Sequence, residues 1–573
     1  MEKLTKQLTL IVLSSLTALT LGCKKDGESD GNKGQGASTR PTNEELKIGM
    51  DQEFENLNPV IKQMAATTWQ FAFVGRTLTT MNEKNEWIPM MVEEIPTIEN
   101  SKAKFVTKDG KKTISSDWRI RDTYTWGDGT PVTGHDVKFS WEVGKHENIS
   151  APEREVYTQV AEILVDATDA KKVTMVYDKN RWDYYKLGTF EIIPKHIEEP
   201  VFKEHSGQAM AYEKNTKYVT DPTNPGLYNG PYRVAELKLG SHMIFVPNEK
   251  WGGAKPKIKK LITKLIPNTA TLEANLLSGT IDMISIFGLK MDQGLKFQKT
   301  VESDKLPYDV NFKPGFIYEH IDLQLGNPIL QDIRVRINRE ELTKALFEDK
   351  QRPAVNNLGP ADPWFTEDPA KIVLYPYSAK QAKDLLDQAG WKLEADGYRH
   401  KGGKKLSFEF MTTAGNKTRE LVQTFLQDQW KQVGVEVIIK NEPARVFFGE
   451  TVKKSKFDAL AMFAWFSSPE STPKSTLHTK NIPSEKNNYM GQNDSRWSNK
   501  EVDAILDSLD EDFSHESRVA KIHKVLYHYT NEIPVIPLYY RSDISVTPKN
   551  LKGYFETGHQ FYSTNFIETW YLE

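Results

Sequence analysis

SAKQAKDLLDQAGWKLEADGYRHKGGKKLSFEFMTTAGNKTRELVQTFLQDQWKQVGVEVII, residues 378–439, carries a complete folding unit in one run. Ser378, with Gln381 three residues on, is an N-cap signal, because a hydroxyl there accepts a hydrogen bond from an otherwise unpaired first-turn amide. Ala382, Leu385, Leu386 and Ala389 recur at helical spacing, and Gly390 stands just past the expected end. Gly402-Gly403 is a turn signal before the alternating Leu406, Phe408 and Phe410, which predicts a hairpin. TRELVQTFLQDQWKQVG follows as a second amphipathic helix closed by Gly434, and VEVII as a strand. Strand, helix and strand in succession predict a right-handed parallel crossover, so this half of the chain is an α/β lobe.

Downstream, Ser498 with Glu501 is read as the cap of a helix over SNKEVDAILDSL, RVAKIHKVLYHY as another helix, and PVIPLYY as a strand. The first half is richer in strands. VAEILVDATDAKKVTMVYD reads as two strands about an Asp169-Ala170 turn, and YRVAELKLGSHMIF as a further pair. Thr133 and Asp136 form a capping pair for a short helix. At 573 residues the chain is long enough for several domains, by the soft guide of ~100–200 residues each. Its 75 basic and 78 acidic residues leave a net charge of −3, which excludes the basic field that draws proteins onto nucleic acid.

The start of the chain is different in kind. MEKLTKQ is weakly positive, LTLIVLSSLTALTL has the length of a secretory h-region, and Gly22-Cys23 follows. Cys23 is the only cysteine, so no disulfide can form within the chain. The run into Cys23 resembles a bacterial lipobox, with Thr20 and Leu21 departing from the usual residues, and implies that the thiol carries the lipid. Residues 24–45 are polar and glycine-rich, a linker with a reach of ~25 Å. The expectation is a signal peptide over 1–22, an acylated Cys23 with a linker over 23–45, and an extracytoplasmic location at the cell envelope.

No HExxH, GxSxG or GxxxxGK[ST] motif occurs. Ser471 to Lys474 (STPK) matches SxxK but lacks its companion KTG, and Pro473 opposes a helix there. His523 and His528 fall five apart and do not share a helix face as metal ligands would. No catalytic residue, metal site or cofactor is therefore expected. The 13 Trp, 22 Tyr and 26 Phe mostly supply core, but two clusters sit beside turn chemistry. They are Trp465-Phe466, where AMFAWF breaks into SSPEST, and Tyr489 with Trp497 in NNYMGQNDSRW. A strand leaving the core at a sheet end is where α/β folds place ligands.

Nine stretches in order resemble the family 5 extracytoplasmic solute-binding proteins of ABC importers, the peptide-binding group. They are NLNPV, TWGDGTPVTGHDVKFSWE, NGPYRVAELKLGSHMIFVPNEKWGG, LEANLLSGTIDM, YEHIDLQLGNPILQDIRVR, INREELTKALF, YPYSAKQAKDLLDQAGWK, WSNKEVDAILDSL and NEIPVIPLYYR. The resemblance implies a two-lobed, hinged α/β binding protein of the class II type with an extra domain inserted in its first lobe. By the family's layout, residues 46–85, 225–310 and 541–573 form the first lobe's core, 86–224 its inserted domain and 311–540 the second lobe. Hinge strands are expected near Asn311–Ile321 and Pro534–Ser545. It further implies a peptide-like ligand between the lobes, an inner-membrane permease as partner, and a monomer.

Two departures stand out. About six residues usual in the family are missing between Arg336 and Ile337, a change of ~1.7 helical turns. Ser467-Ser468 stand where peptide-binding members often have an Asp for the ligand's α-amino group. Glu470 is the candidate substitute, and Arg445 the candidate for the ligand's carboxylate. A secreted lipoprotein hydrolase or a ligand-presenting sensory component is the alternative reading.

Overall fold

The computed structural model describes residues 44–573 except 53–55, 63, 333–336, 488 and 490, and not the side chains at 331, 332, 445 and 449. The signal segment, Cys23 and the linker through residue 43 lie outside the described residues, as does Arg336 at the shortened junction. Among the described residues no helix is long and apolar enough to cross a membrane.

The 378–439 unit forms as its sequence directs. Ser378 accepts from the Gln381 amide at the head of the helix Ala379–Gln388. Gly402 and Gly403 both take positive φ, 59° and 75°, a conformation that glycine adopts without steric cost. Strands Ser407–Met411 and Glu436–Ile439 pair in parallel across the helix Lys417–Lys431, with Phe408 opposite Val437. The Thr133–Asp136 capping box is present on the helix Gly134–Lys145. One cap differs from expectation: Asn499, not Ser498, accepts from the amides of Glu501 and Val502 ahead of the helix Lys500–Leu509.

Among the described residues an eleven-stranded mixed sheet runs through the molecule. At one end Glu436–Ile439, Ser407–Met411 and Leu460–Phe466 stand side by side; at the other stand Glu45–Met50, Lys260–Leu265, His242–Pro247 and Tyr232–Lys238. Between them lie two long antiparallel strands, Tyr308–Leu323 and Val535–Pro548, which cover the expected hinge segments. Their register shifts between Pro314 and Tyr318, an irregularity that bends a strand pair. The long ribbon thus joins the two ends of the sheet.

A separate four-stranded antiparallel sheet lies within 86–224, in the order Ala103–Lys108, Lys111–Arg119, Lys172–Tyr177, Val160–Val165. Its buried Ile114, Trp118, Ile163 and Met175 join one apolar cluster with Ile48, Phe245 and Trp570. A second cluster centres on Phe408, Phe410, Leu426, Trp430 and Leu460. It reaches back to Leu272–Val301, because the long strands carry Ile321, Ile536 and Val546 across both ends of the sheet.

Candidate ligand cleft

The strand Leu460–Phe466 is buried from Leu460 to Phe463 and emerges progressively at Ala464, Trp465 and Phe466. It leaves the core where it pairs Phe466 with Ile317 on the long strand, and Ser467 continues this edge by donating from N to the Phe316 carbonyl at 3.2 Å. Ser468 Oγ donates to Gln560 Oε1 at 3.0 Å, which ties the emerging loop to the C-terminal segment. Glu470 then takes a left-handed backbone, φ 53°, while its amide donates to Asp362 Oδ2 at 3.1 Å. Asp362 also accepts from the Trp364 amide at 2.8 Å, and burial pushes its carboxyl up to about 7.

This loop borders a cavity of about 640 Å³ whose walls come from three parts of the chain. Ser468–Thr472 contribute from one part, Arg181, Trp182 and Lys186 from a second, and Gln560 and Phe561 from a third. A smaller cavity of about 260 Å³ adjoins it, sharing Glu153, Thr189, Gln560 and Phe561 and lined by the apolar Phe71, Phe466 and Tyr562. A strand end, an aromatic lining and convergent polar groups between two halves of a fold mark this as the candidate ligand cleft.

The two sides of the larger cavity touch. Trp182 is 4% exposed and belongs to a buried cluster otherwise drawn from residues 358–535, with its ring centroid 5.6 Å from that of Trp364. The Arg518 guanidinium lies 3.8 Å from the Trp182 ring centroid. Lys186 Nζ reaches Glu470 Oε2 at 3.0 Å, Lys179 Nζ reaches Asp510 Oδ2 at 3.0 Å, and Phe105 meets Phe513 edge-on at 5.0 Å.

The residues expected at the ligand are dispersed. Phe466, half exposed, lines the smaller cavity, and Glu470 lines the larger. Trp465 sits one step back, packed on Tyr318, Ala354 and Tyr540 and edge-on to Phe463 at 5.6 Å. Trp497 is a core residue: it is 3% exposed in the cluster of Val502, Leu506 and Leu526, with its Nε1 donating to Glu532 at 2.7 Å. It clusters with residues of the helices Lys500–Leu509 and His515–Glu532, so the turn beside it leads inward. Tyr489 lines neither cavity and lies 5.8 Å from the Lys454 ammonium. Arg445 falls on the short helix Ala444–Val446, and its side chain lies outside the described residues.

Trp87, Trp182, Lys186, Asp362 and Phe561, which border or support the cleft, escape sequence reasoning. The one signal was KNRWDYYK, residues 179–186, an aromatic and basic run with neither helical nor strand periodicity. Among the described residues no group of three or more His, Cys, Asp or Glu is placed to hold a metal ion.

The fold and cleft define a solute-binding protein of the kind that serves ABC import. Residues 87–488 match the family model for bacterial extracellular solute-binding proteins, family 5, and the chain belongs to that family, whose members bind rather than transform their solutes. The chain is 24% identical to the oligopeptide-binding protein AppA of Bacillus subtilis over 473 residues, covering 80% of this chain and 81% of that one. It is similar to the crystal structure of an oligopeptide-binding protein from Thermus thermophilus complexed with a pentapeptide, with 27% identity and a TM-score of 0.66, covering 92% and 96% of the two chains. NikZ of Campylobacter jejuni, crystallised with Ni(L-His), shares the fold at a TM-score of 0.67 and 22% identity, covering 93% and 100%.

Proposed function

We propose that the chain captures a peptide-like solute in this cleft and hands it to an inner-membrane ABC permease, acting as a monomer tethered through a lipid on Cys23. The observation that carries the peptide reading is a strand end unpaired on one side, whose last residue, Phe466, lines the smaller cavity. Ser407–Met411 pairs with Leu460–Phe466 only at Leu460 and Ala461, so among the described residues no strand covers the far edge of Phe463–Phe466. An extended ligand backbone can pair with such an edge, which gives affinity without close reading of side chains. The division into 46–85, 225–310 and 541–573, an inserted 86–224, and 311–540 belongs to the same proposal. It is supported by the separate four-stranded sheet and by the position of the long strands.

The test is incubation of the protein with a mixture of short peptides, followed by native mass spectrometry. Peptides retained intact in a one-to-one complex are expected. Cleaved products would instead support the hydrolase reading, and retention only of a nickel–histidine chelate would replace the peptide.

The tether makes a separate expectation. Cys23→Ser should move the protein from the membrane to the soluble fraction after cell breakage, because the linker alone has no membrane affinity while a diacyl anchor holds firmly. Unchanged membrane fractionation would remove Cys23 from the proposal.

A further inference from the structure

Lys186 lies at the cleft wall among three indole rings. Its side chain is 12% exposed, and its ammonium lies 4.1 Å from the ring centroid of Trp182, 5.7 Å from that of Trp364 and 5.9 Å from that of Trp87. Indole faces attract a cation through their quadrupole, and more strongly where water is excluded. The same nitrogen meets Glu470 Oε2 at 3.0 Å and donates to the Glu470 carbonyl at 3.2 Å. Glu470 offers a carboxylate oxygen and its carbonyl oxygen to one nitrogen; its backbone is left-handed, φ 53°, and its amide donates a hydrogen bond to Asp362. A non-glycine residue in this region is strained, and such strain gathers at ligand clamps. Three aromatic faces, a carboxylate and a carbonyl converging on one point make a receptor for an ammonium group. Lys186 and Glu470, 284 positions apart in the chain, both line the 640 Å³ cavity.

We propose that this box is an ammonium subsite of the cleft which the chain fills with its own Lys186, so that Lys186 is a specificity residue barring solute amines from Glu470. With the lysine in place the Glu470 carboxylate is already paired, and a second ammonium beside it would bring two like charges together in a dry site. The cleft is thereby left to peptide-like solutes whose end at this point is uncharged or blocked. This rests on the peptide reading only for the identity of the solute; the filled box stands without it.

The test uses the full chain and an amine probe that needs no peptide. In Lys186→Ala, n-butylammonium should bind saturably, read by tryptophan emission, at least about tenfold tighter than n-butanol, while the wild type shows no saturable response to either. Equal binding of the amine by both proteins, or no amine preference in the variant, would overturn the proposal. Reductive methylation of the wild type decides independently of whether the variant folds. Lys186 should resist dimethylation under conditions that fully modify Lys380, whose side chain is 87% exposed, and equal reactivity would overturn it. A further arm offers tetrapeptides with free and N-acetylated amino ends. Equal retention of both forms by the wild type and enrichment of the free form by Lys186→Met are expected. Preference of the wild type for the free form would overturn the proposal. If neither protein retains any peptide, the peptide reading fails and the amine arm still decides the subsite.

Discussion

Arg419→Ala is expected to lower folding stability by about 3–5 kcal/mol, the cost of breaking a buried, hydrogen-bonded ion pair. Glu319 lies on the long strand Tyr308–Leu323 with its side chain fully buried, and accepts from Arg419 Nε at 2.6 Å and Arg541 Nε at 2.9 Å. Arg419 stands on the helix Lys417–Lys431 and Arg541 on the strand Val535–Pro548, so one carboxylate ties a lobe helix to both long strands. Removing Arg419 leaves a charge in a dry site with half of its compensation. Arg419→Lys should recover part of the loss, since it restores charge without the planar fork. Burial alone would raise the Glu319 carboxyl, but Arg541 and Arg419 together hold it below its usual value of 4.5. A depressed folded-state pKa stabilises above the unfolded value, and that contribution is lost as pH falls through the folded one. The gap between wild type and Arg419→Ala should therefore be full at pH 7 and narrow on acidification below about 4.5. Urea unfolding at several pH values measures it, and a gap under about 1 kcal/mol at neutral pH would show that the triad is not needed.

Trp182→Ala is expected to separate the region 86–224 from the region 311–540. Among the described residues the indole is the only buried one outside 358–535 in its apolar cluster, and it carries Trp364 and the guanidinium of Arg518 against its faces. Truncating a buried tryptophan costs about 3–5 kcal/mol through lost transfer energy and the cavity left behind. Here the cavity opens where two parts of the chain meet, so most of that loss falls on their contact. The ion pairs Lys179–Asp510 and Lys186–Glu470 span the same gap, and without the indole they stand open to water, where such pairs contribute little. Small-angle scattering should show a larger radius of gyration for Trp182→Ala in the absence of ligand, and Trp182→Phe should lie near wild type. Identical scattering from all three would mean that other contacts hold the cleft sides together.

What was legible in the sequence was local. Ser378, Gly390, Gly402-Gly403 and Gly434 announce ends and turns whose chemistry acts within a few residues, and the elements form where they say. Depth was not legible. The helix Ala379–Gln388 has a clear apolar face, yet none of its residues is buried, because the helix packs on the outside of the lobe. Ser498 and Asn499 are both competent caps, and periodicity cannot separate neighbours. Trp497 and Trp465 sit in similar turn-flanked contexts, but one turn leads into the core and the other toward the cleft. Lys186 was invisible for the reason that makes it informative: its partner is 284 residues away, and nothing in KNRWDYYK specifies it.

Solute binding in the cavity between Ser468–Thr472 and Arg181–Lys186 is tested most directly by hydrogen–deuterium exchange of the protein with and without a retained peptide. The amides of residues 463–472, of 179–189 and around Gln560 and Phe561 should slow together on binding, as the strand edge gains a partner and the walls close. Protection confined to other segments, or full occupancy with no change in these three, would contradict binding there.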